Sequence, residues 1–183
     1  MPRFVDIDIA SSALGDAARV MVIGCSGGGK STLSRRIARR HGLPLVSIDR
    51  DVRWLPGWQE RDKPSQREIL ARQVRRPRWV MDGSGASTFD LRLPRADLVI
   101  WVRVPRSVAL AGLARRIVRY FGRVRPDMAP GCPEKLPDRA FLSYIWHFER
   151  RDAPRFVAAL ERHAPVTPVV VLRSRRDADA LVP

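Results

Sequence analysis

Long apolar runs are missing from this 183-residue sequence: none approaches the roughly 20 residues that a membrane-spanning helix needs, so the chain is expected to be soluble and without a membrane partner. Cysteine is nearly absent too. Cys25 and Cys132 lie far apart and show neither zinc-site spacing nor a CxxC pair, which excludes a disulfide framework and fits a reducing cytoplasm. The three histidines, His41, His147 and His163, share no spacing with cysteines or acids, so they are read as structural. Residues 1–18 lack the basic-then-apolar order of a secretion signal and read as a short arm.

Lysine is scarce, whereas positive charge is not. Only Lys30, Lys63 and Lys135 occur, yet the formal net charge is +15, nearly all of it from arginine. Such a balance favours anionic partners, from nucleotide phosphates to nucleic acid. It fits an arginine-rich compositional habit as well as a nucleic-acid surface. The apolar share of 45% and the charged share of 29% are globular values, and the length suits one domain.

The pattern alternates strands with helices. Residues 19–23 (RVMVI) form a short apolar run that stops at Gly24, as a buried parallel strand would. Residues 30–41 repeat apolar side chains at helical spacing until Gly42 can end the helix. Strands are then expected at 45–48, 78–81, 97–104 and 168–172, with helices at 65–75, 107–120 and 140–163, the last interrupted near Pro154. Residues 121–137 hold Pro126, Pro130, Pro133 and Pro137, so they are expected to form a mobile loop, and 121–150 is the lid candidate. Right-handed crossovers between such strands give a mainly parallel sheet covered on both faces, a three-layer α/β/α sandwich.

One motif has strong chemical content. Residues 24–31 read GCSGGGKS, a match to GxxxxGKS placed after an apolar strand and before a helix. Gly24, Ser26, Gly27, Gly28 and Gly29 would turn backbone N–H groups inward around an anion, backed by the positive end of the following helix. Lys30 would reach the β and γ phosphates of ATP, Ser31 would ligate Mg²⁺, and Thr32 would assist near the α phosphate.

Acids and arginines supply the remaining candidates. Asp82 closes the strand WVMD and is the second candidate ligand for Mg²⁺. Asp49 and Asp51 follow another strand, where ligands gather beyond the carboxyl ends of a parallel sheet; one of them is expected to align an acceptor hydroxyl and take its proton. Arg53, Trp54, Trp58 and Arg61 offer flat faces to an acceptor. Arg115, Arg116 and Arg119 share one expected helix, and Arg123, Arg125, Arg150 and Arg151 lie within or beyond the lid. Arg115, Arg119 and Arg150 are taken as the group that stabilises the transferring phosphoryl.

The loop at 24–32, WVMDG and ADLVIWVRVPRSVALAGLARR together resemble adenylate-kinase-like small P-loop kinases. More narrowly, IDRDVRWLPGW, LRLPRADLVIWVRVPR and RPDMAPGCPEKL resemble the bacterial topology modulation proteins, a family related to adenylate kinases. The resemblance implies a five-stranded parallel core, ATP and Mg²⁺ binding, a mobile acceptor region and a lid donating arginines. It also implies that Arg173, after the final strand, stacks on adenine. Residues 48–51 (IDRD) are similar to the acidic segment of shikimate, gluconate and adenylylsulfate kinases, where an aspartate contacts an acceptor hydroxyl. Asp82-Gly83 continues as Ser84-Gly85-Ala86 rather than as the Phe-Pro-Arg of adenylate kinases, which tells against AMP as acceptor.

The expected function is therefore transfer of the ATP γ-phosphate to a small-molecule hydroxyl or phosphate. A nucleic-acid-binding regulator that uses ATP as a switch, and an ATPase without a small acceptor, are the alternatives.

Overall fold

The computed structural model describes residues 1–183. In chain order it contains β1 (Arg3–Phe4), α1 (Ile7–Asp16), β2 (Arg19–Gly24), α2 (Lys30–His41), β3 (Leu45–Ser47) and a π-helical segment, Ile48–Arg53. A small hairpin, β4 (Trp54–Leu55) and β5 (Gln59–Glu60), leads to α3 (Lys63–Gln73), β6 (Trp79–Asp82) and the short α4 (Phe89–Arg92). The chain ends with β7 (Leu98–Val102), α5 (Arg106–Tyr120), α6 (Arg139–Arg151), α7 (Ala153–His163), β8 (Pro168–Leu172) and α8 (Arg175–Leu181).

Six strands form one wholly parallel sheet in the order β1-β8-β7-β2-β6-β3. Period-two alternation divides its side chains between two cores. Met21, Ile23, Trp79, Met81, Val99 and Trp101 point to one face, against Leu70, Phe89, Leu113, Phe148 and Phe156 of the helices α3 to α7. Val20, Val22, Val80, Leu98, Ile100 and Val102 point to the other, against Leu14 of α1, Leu33 and Ile37 of α2 and Leu181 of α8. Both faces are thus covered, which is why the strands read as continuous apolar runs in the sequence. Trp101 and Phe89 each pack on Phe156, with ring centroids 5.8 and 5.0 Å apart; losing one such aromatic costs about 3–5 kcal/mol.

Local signals set the helix ends. Leu33 and Ile37 give α2 its core face, and Gly42 stops it with φ 60. Asp62 and Asp138 accept backbone N–H bonds from Ser65 and Phe141 at 2.8 and 2.7 Å, each cap contributing about 1 kcal/mol. Helices α6 and α7 break at Asp152, just before Pro154.

Two expectations are corrected. The sheet has six strands rather than five, because Arg3–Phe4 pairs with Pro168 and Val169 of β8. The supposed arm at 1–18 is this strand followed by α1, whose Ala10 and Leu14 seal the second core. Residues 121–137 contain no helix or ladder, in line with their prolines, but they fold back on themselves through bridges at Phe121–Glu134 and Val124–Pro133. Their tip buries Met128, Ala129 and Cys132 against Trp54 and Trp58.

Candidate active site

The loop between β2 and α2 lies at the carboxyl edge of the sheet, clasped at Gly24 and Gly27 by neighbours that leave no space for a side chain. A Cβ on Gly24, at φ 137, would stand 2.0 Å from the Val102 carbonyl oxygen, and one on Gly27, at φ 79, would stand 2.1 Å from that of Ala109. The fit is reciprocal, since a Cβ on Gly112 would meet the Gly27 carbonyl oxygen at 2.0 Å. Strand β7 and helix α5 therefore set the shape of the loop. Lys30 Nζ donates to the Cys25 carbonyl at 2.7 Å, which lays its side chain across the loop. Burial lowers the pKa of this ammonium, while the Asp82 charge opposes that shift.

Asp82 ends β6 between Val22 of β2 and Ser47 of β3 and is only 5% exposed. Burial raises its pKa, with Lys30 and a hydrogen bond from Ser31 acting in the opposite direction. Its Oδ1 has no hydrogen-bond partner. A buried carboxylate oxygen left unpartnered beside a hydroxyl is a donor set that suits Mg²⁺ completed by phosphate and water oxygens. The chain gathers no cluster of three or more His, Cys, Asp or Glu that would form a self-sufficient metal site.

The π-helical turn separates the two acids after β3. Asp51 Oδ2 accepts the Ser47 N–H at 2.8 Å, and its carboxylate is bridged by Arg50 at 2.7 and 2.9 Å. Its lone pairs are thereby occupied in holding the turn. Asp49 instead borders a cavity of about 330 Å³ together with Ser26, Gly27, Gly29, Lys30, Ser31, Thr32 and Asp82. Six arginines complete that cavity: Arg35, Arg115, Arg116, Arg119, Arg125 and Arg175.

A second cavity, of about 590 Å³, opens from the first, and Ser26, Asp49, Arg116 and Arg125 line both. Trp54, Trp58, Met128 and Phe141 give it apolar walls. Glu134, 5% exposed, stands at the junction and pairs with Arg116 at 2.9 Å and with Arg125 at 2.7 Å. Arg125 also meets Asp127 at 2.8 Å, Asp127 meets Arg35 of α2 at 3.3 Å, and Arg116 donates to Ser26 Oγ at 3.2 Å. This chain of charges ties residues 121–137 to α2, α5 and the loop at 24–32. Burial lowers the Arg116 pKa, and the nearby Arg125 charge adds to that effect.

Trp58 is the one non-glycine residue with positive φ, at 64, a conformation costing a bulky side chain about 1–3 kcal/mol. The lid candidate holds it there: Trp58 N–H donates to Cys132 Sγ at 3.2 Å and Nε1–H to the Pro133 carbonyl at 3.1 Å.

Several expected residues lie elsewhere. Asp51 borders neither cavity. Arg150 and Arg173 line a separate cavity of about 390 Å³ behind Cys25, between the starts of α5 and the end of α6, so Arg175 rather than Arg173 faces the main cavity. Gly28 lines a groove beside Arg36 and Val108, and Gly24 is packed beneath the loop. Arg61 donates to the Val52 carbonyl at 3.0 Å, and Arg123 and Arg151 are exposed. Conversely, Ser84, Arg92, Asp127, Glu134 and Phe141 shape the site without having been singled out. Arg92 is fully buried and donates to the carbonyls of Gly83, Ser84 and Gly85 and to Thr88 Oγ1 at 2.6 to 3.1 Å, fixing the loop after Asp82. No motif announces these residues, because their partners are distant in sequence or are backbone atoms.

The parallel sheet order, the loop at 24–32 and the flanking helices define the fold of small P-loop kinases. No protein-family model and no curated protein matches the sequence. Among solved structures, shikimate kinase from Acinetobacter baumannii in complex with shikimate is similar over 93% of this chain and 92% of its own, with TM-score 0.55 and 16% identity. Shikimate kinase from Bacteroides thetaiotaomicron is similar over 91% of this chain and 94% of its own, with TM-score 0.52 and 16% identity. Deoxyadenosine kinase from M. mycoides with bound dATP is similar over 90% of this chain and 95% of its own, with TM-score 0.53 and 14% identity. The narrower likeness to topology modulation proteins rests on the sequence segments alone. No helix is long and apolar enough to cross a membrane.

Proposed function

We propose that this protein is an ATP-dependent phosphotransferase that moves the γ-phosphate to a small acceptor. The observation that supports it most is the pair of joined cavities, one walled by the loop at 24–32 and one by aromatic residues, with Asp49 at their junction. A polyphosphate fits the first through the backbone N–H groups of the loop and Lys30, with Arg115, Arg119 and Arg175 flanking it. When bound to Ser31 and Asp82, Mg²⁺ would offset charge on the β and γ phosphates.

The work left to the protein is positioning and charge stabilisation. Lys30 and the arginines of the first cavity supply positive charge where the transferring group carries negative charge. Asp49, free of the bonds that occupy Asp51, orients the acceptor and receives its proton. The chain acts as one domain, with 121–150 as the lid that excludes water on closing. The two kinds of kinase with similar folds act on shikimate or a deoxynucleoside, and a hydroxyl acceptor is in keeping with both.

Incubation with γ-labelled ATP, Mg²⁺ and sets of nucleosides, nucleotides and hydroxy acids tests the proposal, since only a phosphotransferase yields a labelled acceptor. Titration calorimetry that finds no magnesium-dependent affinity for any nucleoside triphosphate would overturn it.

A further inference from the structure

We infer that the acceptor is an uncharged nucleoside-type molecule, its flat unsaturated ring on the Trp54–Trp58–Phe141 wall and its sugar hydroxyl at Asp49. The inference rests on the phosphotransferase reading above and narrows the acceptor within it.

The wall recognises a ring by its faces. Trp54 and Trp58 meet edge-to-face with centroids 5.3 Å apart, and both line the second cavity with Phe141. The Trp58 indole N–H is already given to the Pro133 carbonyl, so this side chain offers π surface and no free donor. Its left-handed backbone, clamped by Cys132 and Pro133, shows that the chain tolerates strain to hold an indole there. Rigid aromatic walls of this kind bind flat bases by stacking.

Three of the four cations that line the second cavity are already paired with carboxylates, which disfavours an anionic acceptor. Phosphate-bearing or carboxylate-bearing acceptors need cations that are free to meet them. The two arginines shared by the cavities are engaged instead: Arg116 and Arg125 both pair with Glu134, and Arg125 also pairs with Asp127. Arg53 pairs with Glu60 at 3.3 Å, and Arg53 and Lys135, both exposed, lie over the Trp54 and Trp58 rings at 4.8 and 4.9 Å, so these flexible side chains swing aside where a base stacks on the covered face. At the junction stands Asp49, a carboxylate that repels an incoming anion and accepts a hydroxyl proton.

The transfer balances without any further reactant. The nucleoside hydroxyl oxygen bonds to the γ-phosphorus of ATP as the bond to the β–γ bridging oxygen breaks. That oxygen leaves with the electron pair as part of ADP, and the hydroxyl proton passes to Asp49 and on to solvent.

The 183-residue protein is tested with γ-labelled ATP and Mg²⁺ against nucleosides, their 5′-monophosphates and a non-aromatic hydroxy acid, D-gluconate. Label is expected in nucleosides, with kcat/KM at least about 100-fold above the other two classes, as expected when anionic or non-stacking acceptors lose the complementary contacts. Trp58→Ala should raise the nucleoside KM about 10- to 100-fold, the scale of one lost stacking contact, and Trp58→Phe should restore most of it. Preferential labelling of monophosphates or gluconate would overturn the inference and leave the phosphotransferase reading standing. Absence of magnesium-dependent ATP binding would instead remove that reading itself. An alanine variant that fails to fold leaves the acceptor comparison on the unmodified protein to decide.

Discussion

Ser84 Oγ accepts the Gly24 N–H at 2.9 Å and donates to the Gly24 carbonyl at 2.6 Å, closing both main-chain groups of the residue that opens the loop at 24–32. Ser84 is itself held by Arg92, so the loop after β6 and the loop after β2 form one unit. Ser84→Ala leaves those groups of Gly24 without partners, which costs about 1–3 kcal/mol when they are buried. Calorimetric melting should show a fall of about 2–4 °C per kcal/mol, and Thr in place of Ala should recover part of it. An unchanged melting temperature would show that water replaces the hydroxyl.

Asp82→Asn tests the metal role separately from the fold. The variant keeps the shape of the side chain but removes the charge next to Ser31. Magnesium-dependent ATP affinity should fall by about tenfold or more, while affinity measured in EDTA should change much less. Equal losses with and without Mg²⁺ would assign Asp82 to supporting Lys30 alone.

Lys30→Ala should abolish phosphoryl transfer and leave the circular dichroism spectrum intact, because Lys30 Nζ meets only the Cys25 carbonyl and the cavity. Retention of full transfer activity would defeat the assignment of this ammonium to the phosphates.

Glu134→Gln removes a charge that two arginines share in a nearly dry setting. Breaking a buried pair from one side costs about 3–5 kcal/mol. The effect should concentrate in residues 121–137, so limited proteolysis there is expected to accelerate before the remainder of the chain becomes sensitive. Uniform resistance to protease would show that the apolar contacts of Met128 and Cys132 suffice to hold the segment.

Cys25 gives a pH-dependent readout. Burial pushes its thiol pKa up to about 11. A group whose folded pKa is raised stabilises the protein below the ordinary thiol pKa, and that contribution is lost as pH rises toward 11. At neutral pH the thiolate fraction should be about 100-fold or more below that of an unperturbed thiol. Iodoacetamide labelling of the native protein should accelerate steadily up to pH 10; a plateau near pH 8.5 would contradict this environment.

Sequence pattern revealed the parts whose physics is local. Strands β2, β7 and β8 were legible because a strand covered on both faces must be apolar throughout, and the loop at 24–32 because its glycines and Lys30 lie in one short stretch. Strand β1 was not legible: two residues provide no period, and Arg3–Phe4 is a strand only because β8 is there to pair with. Helix α1 has Ser11, Ser12 and Gly15 and no side-chain cap, so its own propensity is weak and its burial decides it. In the site, Asp49 and Asp51 are alike as residues, and only the π-helical turn with Arg50 separates the free carboxylate from the occupied one. Glu134 is one acid in a proline-rich stretch; its role depends on Arg116, eighteen positions away, and on burial that no spacing records.

Gly27 and helix α5 approach so closely that neither Gly27 nor Gly112 has room for a methyl group: a Cβ on Gly27 would run into the Ala109 carbonyl, and one on Gly112 into that of Gly27. Any side chain at position 112 must push the loop at 24–32 out of its present shape. Gly112, seven residues beyond Pro105, is thus as strictly required by the shape of that loop as the glycines of GxxxxGKS itself.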